Sequence, residues 1–209
     1  SSFAKFSLQG RDALKILNRV CANDVDVEPG RLVYTQWLND RGGIEADLTV
    51  TRLDEQEFFI VTAAETEMRD FNWLKQHIPA DAHCALTNTT SGFGVISIMG
   101  PKARDLLQSL TTADMGNTAF PFATSRNIEL GYAIVRASRI TFVGELGWEI
   151  YIPVKNAKKI YDAIIEAGKN HRLIHAGAHA MDIMRMEKKY LHWGHDISPE
   201  ENPFEASLG

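Results

Sequence analysis

The same pattern occurs twice in the chain, as FSLQGRDALKIL at residues 6–17 and as ISIMGPKARDLL at residues 96–107. Each copy starts as a short strand, passes through a glycine and continues as a helix with Ala and Leu on its inner face. Pro101 stands at the first position of the second predicted helix, where its missing N–H costs nothing. Two such beginnings 90 residues apart predict two α+β lobes of related build, the second starting near residue 92. A chance match between two short segments is the alternative.

The segments between and after these copies predict antiparallel strands and further helices. Residues 47–53 and 58–61 are rich in β-formers and flank a polar turn, as in a hairpin. Thr62 and Glu65 have the spacing of a capping box, which predicts a helix that ends before Pro79. Other strands are predicted at 94–98, 128–135, 139–143 and 148–152, and other helices from Asn156 and over about 178–189. The order lacks the regular βαβ alternation of a doubly wound sheet, so the predicted class is α+β.

Composition excludes several classes of protein. The 209 residues are 44% hydrophobic, enough for a large core in one domain or two small lobes. With 22 basic and 27 acidic residues and no basic stripe, nucleic acid is not an expected partner. No apolar run or signal pattern predicts a membrane span or export, so we expect a cytoplasmic protein, or a mitochondrial matrix protein in a eukaryote. Cys21 and Cys84 are far apart and predict neither a zinc site nor a disulfide.

The first candidate for chemistry is Asp47, which follows the Gly42-Gly43 turn at the start of a predicted strand. A double glycine lets the backbone approach a ligand closely. A partly desolvated Asp there can pair with a cationic amine or iminium, or exchange a proton. A solvated Asp on a surface hairpin is the alternative.

The second candidate is Glu145, which lies between Gly144 and Gly147 just before an alternating strand. A carboxylate held in such a loop can accept two parallel N–H bonds from an amidine-like edge, as in a pterin ring. Strand alternation puts Glu149 and Tyr151 on the side opposite Trp148. An exposed turn acid is the alternative for Glu145.

The third candidate is Arg185, near the end of a predicted helix that leads into a loop rich in polar and aromatic residues. Its guanidinium can bind a ligand carboxylate through two bonds, or pair internally with Asp182 or Glu187. Two histidine pairs, His175 with His179 and His192 with His195, lack a third ligand at a recognisable spacing. No metal site is therefore predicted.

Taken in order, these motifs resemble the glycine-cleavage T-protein (aminomethyltransferase) family over nearly the whole chain. The stretches that carry the resemblance are 41–48, 144–149 and 185–197. Three others, Ser2-Phe3-Ala4-Lys5-Phe6, Ala22-Asn23-Asp24-Val25 and Tyr34-Thr35-Gln36, are more similar to the folate-binding domains of dimethylglycine and sarcosine dehydrogenases.

The resemblance implies roles for five residues. Asp47 matches the catalytic acid beside the reactive folate nitrogen, and Glu145 matches the residue that holds the pterin edge. Tyr34 and Phe59 match aromatic residues that line the folate cavity, and Arg185 matches an Arg of the helix beside it. The chain departs from the T-protein pattern because Ala46 replaces a second acid and Ala63 an Asn. These departures favour the branch linked to dehydrogenases.

The resemblance also implies an architecture and a reaction. Residues 1–209 would form one folate-binding domain of two interleaved lobes of a cloverleaf fold, with the third, β-barrel lobe absent from this chain. The expected reaction captures a methylene unit from an oxidised N-methyl amine of the dimethylglycine or sarcosine type on tetrahydrofolate, giving 5,10-methylenetetrahydrofolate. FAD would be bound by a separate oxidising domain or subunit, since no dinucleotide-binding glycine pattern is present. The alternatives are a T-protein acting on a lipoyl-bound aminomethyl group, a sulfonium demethylase, and a non-catalytic folate-binding or regulatory module.

Overall fold

The computed structural model describes residues 3–208, so Ser2 of the opening motif lies outside the described residues. The strands in this range are β1 Phe3–Gln9, β2 Leu32–Leu38, β3 Ile44–Asp54, β4 Glu57–Ala63, β5 Ala85–Asn88, β6 Phe93–Met99, β7 Ser125–Leu130, β8 Ala133–Ser138 and β9 Gly147–Pro153. The α-helices are α1 Ala13–Val20, α2 Glu67–Gln76, α3 Ala103–Gln108, α4 Ala157–Gly168 and α5 Ala178–Glu187. No helix in the described range is both long and apolar enough to cross a membrane.

The strands form two antiparallel sheets, which confirms the predicted α+β class. One sheet has the order β2-β3-β4-β1-β5 and the other has the order β6-β9-β8-β7. The first sheet belongs to a compact unit made of the residues up to Ser91 and those from Leu191 onward. The second sheet belongs to a unit that runs from Gly92 to Tyr190.

In the first unit, alternation sends every second side chain of the sheet into a core beneath α1 and α2. Ala46, Leu48 and Val50 of β3 are buried there, together with Ile16 and Leu17 of α1. The neighbouring β3 residues therefore point to the opposite face of the sheet. That face carries Asp47.

The second unit repeats this construction with α3 and α4. Trp148, Ile150 and Ile152 of β9 are fully buried, and Ile160 and Ile164 of α4 belong to the same core. Glu149 and Tyr151 consequently lie on the opposite face of the sheet, as alternation predicts.

The repeated strand–glycine–helix pattern has the same local geometry in both units. Gly10 and Gly100 have φ of 137° and 121°, a region that glycine enters readily and other residues do not. In each copy the third residue after the glycine donates its N–H to the glycine carbonyl at 3.0 Å. The predicted position of Pro101 is wrong by two residues, because α3 begins at Ala103.

Three other predictions are wrong in detail. Residues 128–135 are not one strand, because Gly131 and Tyr132 have φ of 48° and 75° and form the turn between β7 and β8. Residues 139–143 leave the sheet, and the N–H groups of Ile140 and Val143 bond locally instead. Thr62 does not cap a helix, since β4 continues through Ala63 and a 3-10 turn precedes α2.

Candidate functional site

Asp47 lies beside a row of polar and aromatic side chains on the face of the first sheet opposite its helices. β2 pairs with β3 so that Gln36 is opposite Asp47 and Tyr34 is opposite Thr49. Directly paired residues point to the same face, so Tyr34 and Gln36 flank the Asp47 carboxyl group. The Gln36 side-chain amide donates to Asp47 Oδ1 at 3.1 Å.

Phe59 lies on the same face, further along the sheet. Phe59 pairs with Thr51, which lies four residues after Asp47 on β3 and therefore points to the same face. Only 5% of the Phe59 surface is exposed. Tyr34 is 41% exposed, so the aromatic ring nearest to Asp47 is also the accessible one. The structure thus places three of the predicted site residues on one face of one sheet.

Burial gives Asp47 an unusual protonation equilibrium. Desolvation raises the pKa of this carboxyl to about 6, against an opposing effect of hydrogen bonding from Tyr34 and Gln36. The pKa of Tyr34 is also raised, first by desolvation and then by the negative charge of Asp47. The alternative of a fully solvated surface Asp is therefore wrong. Near neutral pH this group can accept or release a proton, as a general acid–base residue must.

Glu145 belongs to the second unit and lies in a small cleft. Gly144, with φ of 69°, turns the chain just before it, and a Cβ at Gly144 would collide with the Lys188 side chain. The cleft has a volume of about 300 Å³ and is lined by Phe122, Arg139, Thr141, Glu145 and Tyr190, among others. Glu145 Oε1 lies 3.7 Å from Lys188 Nζ, and its side chain is 36% exposed. The carboxylate is thus an accessible acceptor in a concave surface.

Arg185 is almost fully buried and has internal partners. Its Nε and Nη2 both donate to Asp182 Oδ1, at 2.8 and 2.6 Å, and Nη1 donates to the Tyr190 carbonyl at 3.0 Å. The structure therefore favours the predicted ion pair with Asp182 over the one with Glu187. Since Tyr190 lines the Glu145 cleft, this last bond connects Arg185 to the cleft. A direct contact between Arg185 and folate stays a prediction.

Two features were not assigned a role from the sequence. Gln36 is one, although its place opposite Asp47 follows once the β2–β3 register is known. The other is a pair on β9, in which the Tyr151 hydroxyl donates to Glu149 Oε2 at 2.5 Å. Burial raises the pKa of Glu149 to about 7 and that of Tyr151 well above its ordinary value. The sequence feature that could have indicated this pair is the presence of two polar residues at alternate positions of a strand that is otherwise apolar.

No group of three or more His, Cys, Asp and Glu side chains is placed to hold a metal ion within residues 3–208. His175 Nε2 lies 2.9 Å from the Tyr161 hydroxyl, and the His192 and His195 rings lie 4.4 Å apart.

The whole chain matches one known protein family. The model described as the GCVT N-terminal domain matches residues 1–209. The chain belongs to the GCVT N-terminal domain family. The resemblance to the aminomethyltransferase family is confirmed, and proteins named sarcosine dehydrogenase and dimethylglycine dehydrogenase are among the similar ones.

Similar curated proteins are mostly much longer than this chain. Mitochondrial sarcosine dehydrogenase of Mus musculus is 40% identical over the whole chain, which spans 24% of that protein. The 4-methylaminobutanoate oxidase (formaldehyde-forming) of Paenarthrobacter nicotinovorans is 39% identical, and this chain spans 25% of its length. An aminomethyltransferase of Natranaerobius thermophilus is 32% identical, and this chain spans 56% of its length. The chain thus covers between about a quarter and about half of these relatives.

Two solved structures share this fold. The aminomethyltransferase T of the glycine cleavage system from Bartonella henselae matches 99% of this chain and 54% of its own, with a TM-score of 0.86 and 25% identity. A heterotetrameric sarcosine oxidase from Corynebacterium matches 85% of this chain and 85% of its own with a TM-score of 0.65; at 14% identity it shows the fold alone.

Proposed function

We propose that this chain binds tetrahydrofolate and captures the one-carbon unit of an oxidised N-methyl amine as 5,10-methylenetetrahydrofolate. The observation that carries the proposal is Asp47, a half-buried carboxyl group with a pKa raised to about 6 beside an accessible tyrosine. The family supports it, because its members here include sarcosine and dimethylglycine dehydrogenases and aminomethyltransferases.

Each predicted residue has a part in this function. When bound, tetrahydrofolate supplies the nitrogen nucleophiles that bond to the electrophilic carbon. As a carboxylate, Asp47 stabilises the cationic iminium beside it, and it accepts the proton that leaves the attacking nitrogen. The C–N bond of the iminium breaks as the second bond to folate forms, and the amine leaves carrying both protons displaced from the folate nitrogens. Tyr34 offers the pterin an accessible aromatic surface on the same face as Asp47, and the buried Phe59 helps to shape that face. Glu145 accepts hydrogen bonds from the aminopyrimidine edge, within a cleft that Arg185 supports through Tyr190.

The fate of the carbon is the direct test. One relative is named as forming formaldehyde, so a protein of this family can release the carbon instead of transferring it. The full-length protein should be supplied with sarcosine, dimethylglycine and 4-methylaminobutanoate in turn, with and without tetrahydrofolate. We expect one of these amines to be turned over and tetrahydrofolate to convert most of the formaldehyde into methylenetetrahydrofolate. An unchanged formaldehyde yield at saturating tetrahydrofolate would refute capture.

The role of Glu145 is tested by binding alone. We expect Glu145→Ala to weaken tetrahydrofolate binding by about tenfold or more in a calorimetric titration, because charge-assisted hydrogen bonds are worth about 1.5–3 kcal/mol. Glu129→Ala is the matched control, since Glu129 is an exposed acid of β7 in the same unit. Equal affinity in both folded variants would remove Glu145 from the site.

A second function is favoured by one relative. The mitochondrial pyruvate dehydrogenase phosphatase regulatory subunit of Mus musculus is 32% identical over 99% of this chain. A regulatory role for this chain would leave tetrahydrofolate binding intact without capture. That role would be favoured if the protein bound tetrahydrofolate in the titration but captured carbon from none of the donors. The donors tested should include a lipoyl-bound aminomethyl group and a sulfonium compound.

The proposed reaction needs a source of oxidised amine. The curated relatives named as dehydrogenases are about four times as long as this chain. We therefore place the oxidation on a flavin-dependent domain or subunit outside this chain. Mitochondrial targeting, as in the names of several relatives, is expected only if the protein is eukaryotic.

A further inference from the structure

The strand that carries Asp47 is irregular just before that residue. Trp37 pairs with Ala46 but Leu38 pairs with Ile44, so Glu45 is an extra residue on β3 and forms a β-bulge. A bulge bends its strand and changes the direction of the side chains beside it. Because Asp47 lies two residues beyond Glu45, its direction depends on how the bulge is held.

Side chains from distant parts of the first unit hold the backbone of this bulge. The Trp193 indole N–H donates to the Ile44 carbonyl at 2.7 Å. The Arg69 guanidinium donates to the Glu45 carbonyl through Nη2. The Ile44 N–H also donates to the Glu201 carbonyl at 2.9 Å. Two consecutive carbonyls at the bulge are thus bonded by side chains.

Arg69 and Trp193 hold each other as well as the bulge. The guanidinium carbon of Arg69 lies 4.1 Å from the centre of the Trp193 ring. Arg69 also donates from Nε and Nη2 to Asp70 Oδ1 at 3.0 and 2.8 Å. Asp70 is buried and also accepts the Thr66 hydroxyl at 2.6 Å. A planar guanidinium can stack on a ring and donate in its own plane at the same time, which a lysine cannot do.

The segment that carries Trp193 crosses the turn before β3. A Cβ at Gly43 would collide with the Pro199 carbonyl, so only glycine fits at this approach. Asn39 donates from Nδ2 to the same carbonyl at 3.3 Å, and its Oδ1 accepts the Gly43 N–H at 2.9 Å. The turn, the bulge and the segment after Leu191 therefore form one connected structure beside Asp47.

We infer that Trp193 and Arg69 are positioning residues, which fix the bulge at Glu45 and thereby the direction of the Asp47 carboxylate. The inference rests on the proposed function of Asp47 and adds two residues that act on the transfer through the backbone. Neither residue has to contact folate for this role.

Trp193→Phe in the full-length protein tests the inference, because it removes the N–H donor and keeps an aromatic ring over Arg69. We expect the capture rate to fall about tenfold, since small misplacements of a reacting group are costly, while the tetrahydrofolate Kd stays within about twofold. The pH midpoint of capture should also move, because the contacts of Asp47 with Tyr34 and Gln36 change. Arg69→Lys should act in the same direction. Trp73→Phe is the matched control, since Trp73 stacks on Trp37 on the helix-covered side of the same sheet.

The outcomes separate positioning from general stability. Folded Trp193→Phe and Arg69→Lys proteins with the wild-type capture rate and pH midpoint would overturn the inference, even if their melting temperatures were lower. Asp47→Asn is measured in parallel, and normal capture in that variant would instead refute the proposed function. In that case the carbon-13 NMR titration of Asp47 decides: the inference requires its pKa to differ between the wild type and Trp193→Phe, and equal values would overturn it.

Discussion

Each of the two sheets places one carboxyl group beside a tyrosine on the face opposite its helices. Asp47 and Tyr34 are neighbours on the adjacent strands β3 and β2, whereas Glu149 and Tyr151 are two residues apart on the same strand, β9. Burial raises both carboxyl pKa values, to about 6 and about 7. The pairs differ in access: Tyr34 is 41% exposed, whereas Glu149 and Tyr151 are 8% and 2% exposed. A shifted pKa alone therefore does not mark a catalytic acid, because a ligand must also reach the group.

The largest expected effect is on the capture of the one-carbon unit. Asp47→Asn should lower the single-turnover capture rate by about 10²–10⁴-fold, the usual contribution of a general acid–base residue, with tetrahydrofolate still bound. Glu149→Gln should change the rate less than about threefold, because the buried carboxyl does not meet the ligand. Rapid-quench analysis of methylenetetrahydrofolate measures both. A larger loss in Glu149→Gln than in Asp47→Asn would reverse the assignment.

The second-largest expected effect is on the free energy of unfolding and arises from the buried pair Glu149 and Tyr151. The folded pKa of Glu149 lies above its ordinary value of 4.5, so the native state binds more protons than the unfolded state and loses stability as the pH rises from about 4.5 to about 7. Glu149→Gln keeps an acceptor for the Tyr151 hydroxyl and removes this cost. We expect the variant to gain about 1–3 kcal/mol in free energy of unfolding at pH 8 and little at pH 5.

Urea denaturation at the two pH values measures this gain. The full-length protein is compared with its Glu149→Gln variant under the same conditions. A gain of the same size at pH 5 and pH 8 would show that ionisation of Glu149 is not its cause.

The smallest effect distinguishes the two tyrosines. Hydrogen bonding from Tyr34 lowers the pKa of Asp47, so Tyr34→Phe should raise it by up to about one unit. The capture rate at pH 7 should then fall about twofold, because less of the carboxyl is ionised. Tyr151→Phe should leave the pH dependence of capture in place. If both variants move the midpoint equally, the two pairs are not separate in function.

Much of the fold follows from local patterns in the sequence. Strand alternation predicts the β3–β4 hairpin and the two faces of β9, and the repeated pattern predicts the two strand–glycine–helix units. The break between β7 and β8 was missed because Tyr132 adopts a positive φ, which the residue type does not signal. The partner of Arg185 becomes clear only on a helix, where Asp182 at i−3 lies on the same side and Glu187 at i+2 does not.

The sequence drew attention to the two acids of the candidate site, but not to the side chains that hold the bulge beside Asp47. Asp47 and Glu145 stand next to glycines, and that local context drew attention to them. The bulge at Glu45 depends on Arg69 and on Trp193, which lies 149 residues from Ile44 in the sequence. No local pattern encodes contacts of that separation, because they arise only when the segment after Leu191 packs on the first unit.

The pH dependence of capture between pH 5 and pH 8 tests the central claim, the role of Asp47, most directly. Single-turnover formation of methylenetetrahydrofolate is measured at saturating tetrahydrofolate in the wild type and in Asp47→Asn. The rate in the wild type should rise about tenfold with a midpoint near pH 6, where Asp47 ionises, and should be low and flat in the variant. A wild-type rate that is independent of pH, or the same rise in Asp47→Asn, would contradict the role of Asp47.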